Sequence, residues 1–225
     1  MSQTQATSAG PEKKSAAPMR FSVLSRLLHV AVMVGFTGLA LTGFSLKFGD
    51  QGWAQAVAWI FGGASGLGSW HRGFAVLTYG AVFIHLCWLA YYKLLLKGRL
   101  TGPGTMFPAG RDFKDLAAHL KYFFARGGEP AFGRFSYWEK LDYWAVLVGM
   151  HTMGATGLLL WFPEFFARFM PGWLINLALI LHLYEAILAV AVKIVVHMFT
   201  AHLRPGVFPV EKSIFNGRAS EERAS

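Results

Sequence analysis

His182 and His197 both lie in the apolar run LINLALILHLYEAILAVAVKIVVHMF, from Leu174 to Phe199, which is long enough to cross a bilayer as a helix. Their separation in an α-helix puts the imidazoles about 22 Å apart along the axis and about 60° apart in azimuth, on one face at two depths. An ionisable group inside a membrane is costly to hold, so it turns to the protein interior and marks a pathway or a cofactor. Neutral imidazole is also an axial ligand to haem iron. Two histidines stacked on one face of a spanning helix suit two haems, one above the other.

Other histidines fall where such a site could use them. His29 sits near the start of the first apolar run and matches His197 in depth. His71 and His85 lie on the second run, and depth alone lets His182 reach either. His151, in HTMGATG, and His202, just past the last run, are further candidates, whereas His119 in the central polar loop is expected to be solvated. Each histidine taken singly could be an ordinary bundle residue bonded to a neighbour. Two depths, each served from more than one helix, favour haem. Glu185 and Lys193, one turn from His182 and His197, could bond a haem propionate, a quinone or a proton path.

The elements that must position these residues follow from hydropathy. The chain has 225 residues, of which 54% are hydrophobic and only 15% charged, a balance that implies an integral membrane protein. Spans are expected at 23–46, 70–96, 140–162 and 174–199, forming an all-α, four-helix membrane bundle. WAQAVAWIF should form a short interfacial helix, with Gly62, Gly63, Gly66 and Gly68 releasing the chain into the second span. Phe113, Leu116, Ala117, Leu120 and Phe124 keep helical spacing and predict an amphipathic helix on the membrane surface. Residues 1–20 read as a disordered tail, 21–203 as the helical domain and 204–225 as a polar C-terminal tail.

The formal charge of +9 would suggest nucleic acid if it formed a stripe. Instead sixteen Lys and Arg gather in 1–26, 97–140 and 204–225, against Lys47, Arg72 and Arg168 in the opposite loops. By the positive-inside rule both termini of this multi-pass protein are expected in the cytoplasm, and no nucleic-acid partner is expected. One cysteine, Cys87, excludes an internal disulfide and a cysteine-held iron–sulfur cluster, and no Cys-x-x-Cys-His is present for covalent haem.

RLLHVAVMVGFTGLALTGF, WHRGFAVLTYGAVFIH, GRFSYWEKLDYWAVLVGMHTMGATGLLLWFPE and LHLYEAILAVAVKIVVHMFTAHLRPGVFP together resemble the di-haem cytochrome b subunit of respiratory formate dehydrogenases. They are similar also to its relatives in hydrogenase and thiosulfate reductase complexes and to prokaryotic cytochrome b561, over roughly residues 20 to 217. The resemblance implies two b haems, an inner one held by His29 and His197 and an outer one held by His71 and His182, with His85 as the alternative outer ligand. It further implies a quinone site, for menaquinone or ubiquinone, beside the inner haem. The matching residues there are Ser136, Tyr137 and Glu139, with Lys193 close by, and they are bulkier than the small polar residue of the formate dehydrogenase subunit. A periplasmic iron–sulfur or multihaem c-type subunit is the implied partner, and HLRPGVFP is closer to the subunits that serve multihaem partners. On this reading the chain is an electron-transfer subunit of a quinone-linked oxidoreductase rather than an enzyme alone. The rivals are a haem-free proton-coupled transporter or channel, in which the histidines, Glu185 and Lys193 form a relay, and a cofactor-free anchor for a soluble enzyme.

Overall fold

The computed structural model describes residues 19, 21–102, 104–124, 127–128, 131–203, 208–210 and 212–218. In chain order the helices are α1 (Val23–Lys47), α2 (Gly52–Ile60), α3 (Gly63–Leu94), α4 (Gly110–Phe123), α5 (Tyr137–Trp161), α6 (Pro163–Phe166), α7 (Gly172–Ala191) and α8 (Ser213–Asn216). A π-helical stretch, Val192–Leu203, continues α7 without a break in the chain direction. Four helices are long and apolar enough to cross a membrane: α1, α3, α5, and α7 with its continuation. Most of the expected tails, at 1–20 and 204–225, lies outside the described residues.

The expected spans are present, with three differences that have local causes. α3 begins at Gly63 rather than near Trp70, because the left-handed turn is confined to Gly62 (φ 84°) and Gly63 (φ 81°), while Gly66 and Gly68 are already helical. α5 begins at Tyr137 because Ser136 and Glu139 close a capping box: the Ser136 N–H and hydroxyl each donate to Glu139 Oε2 at 2.9 Å. Beyond Val192 the last span winds more widely than an α-helix, so the azimuth expected between His182 and His197 does not carry through.

The spans pack as two hairpins, α1 against α3 and α5 against α7, with sparser contact between them. Small residues let the backbones approach. A Cβ at Gly38 would lie 2.5 Å from the Phe74 ring, and one at Gly149 would lie 2.8 Å from Glu185 Oε1, so the Glu185 carboxylate is lodged against α5. The apolar residues buried among those described, Ala54, Leu67, Ala81 and Ala178, are few and mostly small, and Thr42, Ser45, Thr78 and Thr156 are buried beside them. Val34, Leu41, Phe83, Leu158 and Leu188 instead point outward, which suits lipid as the solvent. Between the hairpins, the Tyr79 hydroxyl of α3 donates to the Met150 carbonyl of α5, and Arg72 lies over the Trp161 ring at 5.6 Å.

The segments that flank the spans meet at one end. Phe21 N–H donates to Gly217 O at 3.1 Å, and the Arg26 guanidinium donates to Phe215 O. At the same end α4 docks by its polar side: Lys140 Nζ of α5 donates to both Asp112 oxygens, at 2.8 and 3.0 Å, and Asp112 also accepts from the Ala109 N–H at 2.7 Å. Phe113, Leu120 and Phe124 of the predicted apolar face remain exposed. His119 departs from expectation. It is half-buried, its ring stacks on Phe123, and its Nδ1 is 3.0 Å from the Tyr137 hydroxyl, because Phe132, Tyr137 and Trp138 pack around it.

Burial disfavours the charged Asp112 carboxylate, but the Lys140 ammonium and the Ala109 N–H outweigh it and hold the group below the ordinary carboxylate range. Folded Asp112 therefore binds its proton less readily than unfolded Asp112, so its contribution is complete above the ordinary value of about 4 and is lost as pH falls through the lowered one. The protection of the α4 amides against hydrogen exchange, relative to their intrinsic rates, is expected to fall as the pH is lowered below about 4. Asp112→Asn should show fast exchange at neutral pH and lose most of that acid dependence.

Candidate functional site

Two pairs of imidazoles face each other across the two hairpins. His71 of α3 and His182 of α7 have ring centres 6.4 Å apart, with their planes at 68°. His29 of α1 and His197 of the π-helical continuation are also 6.4 Å apart, with planes at 33°. The second pair lies at the end where the flanking segments meet, and the first lies nearer the opposite end. The structure thus brings together the pairs expected from the resemblance. His85 lies elsewhere: its Nε2 is 2.9 Å from the Tyr143 hydroxyl of α5, and its ring stacks on Trp88. His151 faces outward and its Nδ1–H donates to Leu147 O of its own helix at 2.6 Å. His202 is buried, and its ring stands 5.6 Å from that of His197.

A repeated dipeptide prepares the first pair. Thr42 of Thr42-Gly43 on α1 donates its hydroxyl proton to Gly38 O at 2.6 Å, which leaves the oxygen to accept from His71 Nδ1–H at 2.9 Å. Thr156 of Thr156-Gly157 on α5 donates to Thr152 O at 2.8 Å and accepts from His182 Nδ1–H at 3.0 Å. The glycine that follows each threonine makes room for the ring: a Cβ at Gly43 would be 3.0 Å from His71 Cε1, and one at Gly157 would be 3.3 Å from His182 Cε1. With the proton on Nδ1, each Nε2 keeps its lone pair and can serve as a ligand.

The second pair is built differently. His197 Nδ1 is 2.7 Å from Asp142 Oδ2 of α5, and the other Asp142 oxygen is ion-paired with Lys193, one turn before His197. His29 Nδ1 is buried with no hydrogen-bond partner among the described residues. Sequence reasoning singled out Lys193 but passed over Asp142. The available signal was an acidic residue inside a span, which needs a cation on a neighbouring helix. Of the residues expected near a quinone, Ser136 and Glu139 cap α5, Tyr137 bonds His119, and Lys193 is held by Asp142.

Among the described residues no three His, Cys, Asp or Glu side chains cluster as a metal site would require. Each pair of imidazoles could therefore hold a metal that brings most of its own ligands, as haem iron does. No curated protein matches this sequence significantly. The family described as prokaryotic cytochrome b561 matches residues 20–217, nearly the whole of the helical chain. The chain belongs to the prokaryotic cytochrome b561 family, and is a membrane cytochrome b that binds b-type haem and takes part in electron transfer.

Proposed function

We propose that this cytochrome carries two b haems, one between His29 and His197 and one between His71 and His182, and passes electrons across the membrane between quinone and a redox partner. The observation that carries the reading is the common 6.4 Å spacing of the two imidazole pairs. Two imidazoles at that spacing could hold one metal between them, as the histidine ligands of a haem iron would. The Thr-Gly cradles and the buried Nδ1 of His29 fit the same use.

Bound haem supplies a one-electron couple. The chain fixes where that couple sits. Thr42 and Thr156 hold the tautomer and orientation of His71 and His182, and the sparse contact between hairpins leaves room for a flat ring on each level. The excess of Lys and Arg at that end supports a cytoplasmic side for the His29–His197 level, and on this reading it is the inner one. The quinone site is assigned to that end, where Ser136, Tyr137, Glu139 and Lys193 offer polar groups and a route for protons to water. The outer level would then face a periplasmic iron–sulfur or multihaem c-type subunit.

Absorption of the purified protein tests the assignment. A reducible b-type spectrum with two haems per chain is expected, and His182→Ala and His197→Ala should each remove one haem, a different one in each case. His71→Ala should also lose the outer haem, whereas His85→Ala should keep both. A colourless protein, or one histidine change that strips both haems from a folded chain, would overturn the reading.

Removing the threonine acceptors gives a finer test. Thr42→Val and Thr156→Val keep the side-chain shape but leave Nδ1–H unpaired, so outer haem should transfer to an apo-acceptor protein about 10–100-fold more readily. The corresponding Thr→Ser changes should retain the native rate.

A further inference from the structure

The two levels differ in what receives the imidazole proton. His71 and His182 each donate to a neutral threonine hydroxyl. His197 instead donates to the carboxylate of Asp142 at 2.7 Å. We infer that Asp142 is a positioning residue that makes the His197 imidazole a stronger electron donor, and so holds the potential of the inner haem below the value a hydroxyl partner would give. This rests on the proposed ligation by His197.

The physical reason is the carboxylate–histidine–metal arrangement, in which an anionic acceptor fixes the ring and raises its basicity. A charge-assisted hydrogen bond draws the Nδ1 proton away more strongly than a hydroxyl does, and the ring gains imidazolate character. Reduction adds one electron to ferric iron, giving ferrous iron with one unit less positive charge and no bond made or broken. The more anionic ligand favours the ferric side of that couple. Asp142 is well placed to act in this way, since its side chain is only 24% exposed in a helix that crosses the membrane, and Lys193 grips its second oxygen so that the carboxylate cannot turn away from the ring. Lys193 also draws off part of the negative charge. Asp142 and Lys193 therefore act on His197 in opposite senses. Among the described residues no comparable charged group bonds His71 or His182, so the two levels are set by different chemistry.

The test is a spectroelectrochemical titration of the full-length protein in lipid nanodiscs, with ferric low-spin EPR to follow each haem. Asp142→Asn is expected to shift the inner couple toward the ferrous form about tenfold, a rise of about 59 mV for one electron, with the outer haem unmoved. The inner EPR signal should change with it, and Asp142→Glu should restore much of the native value. Lys193→Met should move the inner potential the other way. An unchanged inner potential and EPR signal in Asp142→Asn, or equal shifts of both haems, would overturn the inference. If Asp142→Asn fails to accumulate, Lys193→Met decides: a fall confined to the inner haem with a changed inner EPR signal supports the role of Asp142, and a fall with that signal unmoved, or no shift, refutes it. His197→Ala separates this from the ligation reading itself, because retention of both haems there would remove the ligand while loss of one would leave only the role of Asp142 in question.

Discussion

An imidazole in a membrane-spanning helix has two nitrogens to satisfy and no water to help, and the bundle is arranged around that constraint. At the His71–His182 pair it is met with one hydrogen bond per ring, drawn from the neighbouring helix of the same hairpin: Thr42 serves His71, and Thr156 serves His182. Each threonine can accept only because its own proton goes back to a carbonyl four residues earlier, so the helical backbone of α1 and α5 is part of the bond. The bond fixes which nitrogen stays free, and the free nitrogen is the one that can bind iron.

The same constraint explains the thin apolar core. Helices that closed tightly on one another would leave no space for flat rings between the hairpins, and here most of the close approach lies within each hairpin, at Gly35 and Gly38 facing Thr78 and Phe74 and at Gly149 facing Glu185, while between the hairpins the Tyr79 ring is lodged against Gly154. Bulky apolar residues are sent outward to lipid, where association of helices gains little from the hydrophobic effect. The cohesion that a soluble bundle draws from its core must come from polar cross-links such as Tyr79 to Met150 and from whatever the histidine pairs hold.

Hydropathy and spacing made the four spans, the short helix at Gly52–Ile60, the amphipathic helix α4 and the histidine-bearing helices legible in the sequence. The cross-helix partners were not. A hydrogen bond between Thr156 and His182 depends on the azimuth of both helices about their axes, and low-amplitude periodicity in nearly uniform apolar runs does not fix azimuth. The two Thr-Gly pairs read as ordinary packing residues, and only the rings lying against Gly43 and Gly157 give them a second purpose. Asp142 was obscured by its place next to the polar helix start, and His119 by contacts with Phe132, Tyr137 and Trp138 that leave no periodic trace in the sequence.

The connections are also unevenly distributed along the bundle. The chain passes from one hairpin to the other through residues 95–136, and Phe21 and Arg26 are clasped to Gly217 and Phe215 at that same end. At the other end each hairpin merely turns on itself, through α2 or α6, and the two meet by Arg72 on Trp161 and by the His71–His182 pair. Mechanically the molecule is a clothes-peg with its spring on the His29–His197 side. Its jaws, around His71 and His182, are held by fewer cross-links among the described residues than the sprung end, so parting them there would break fewer bonds.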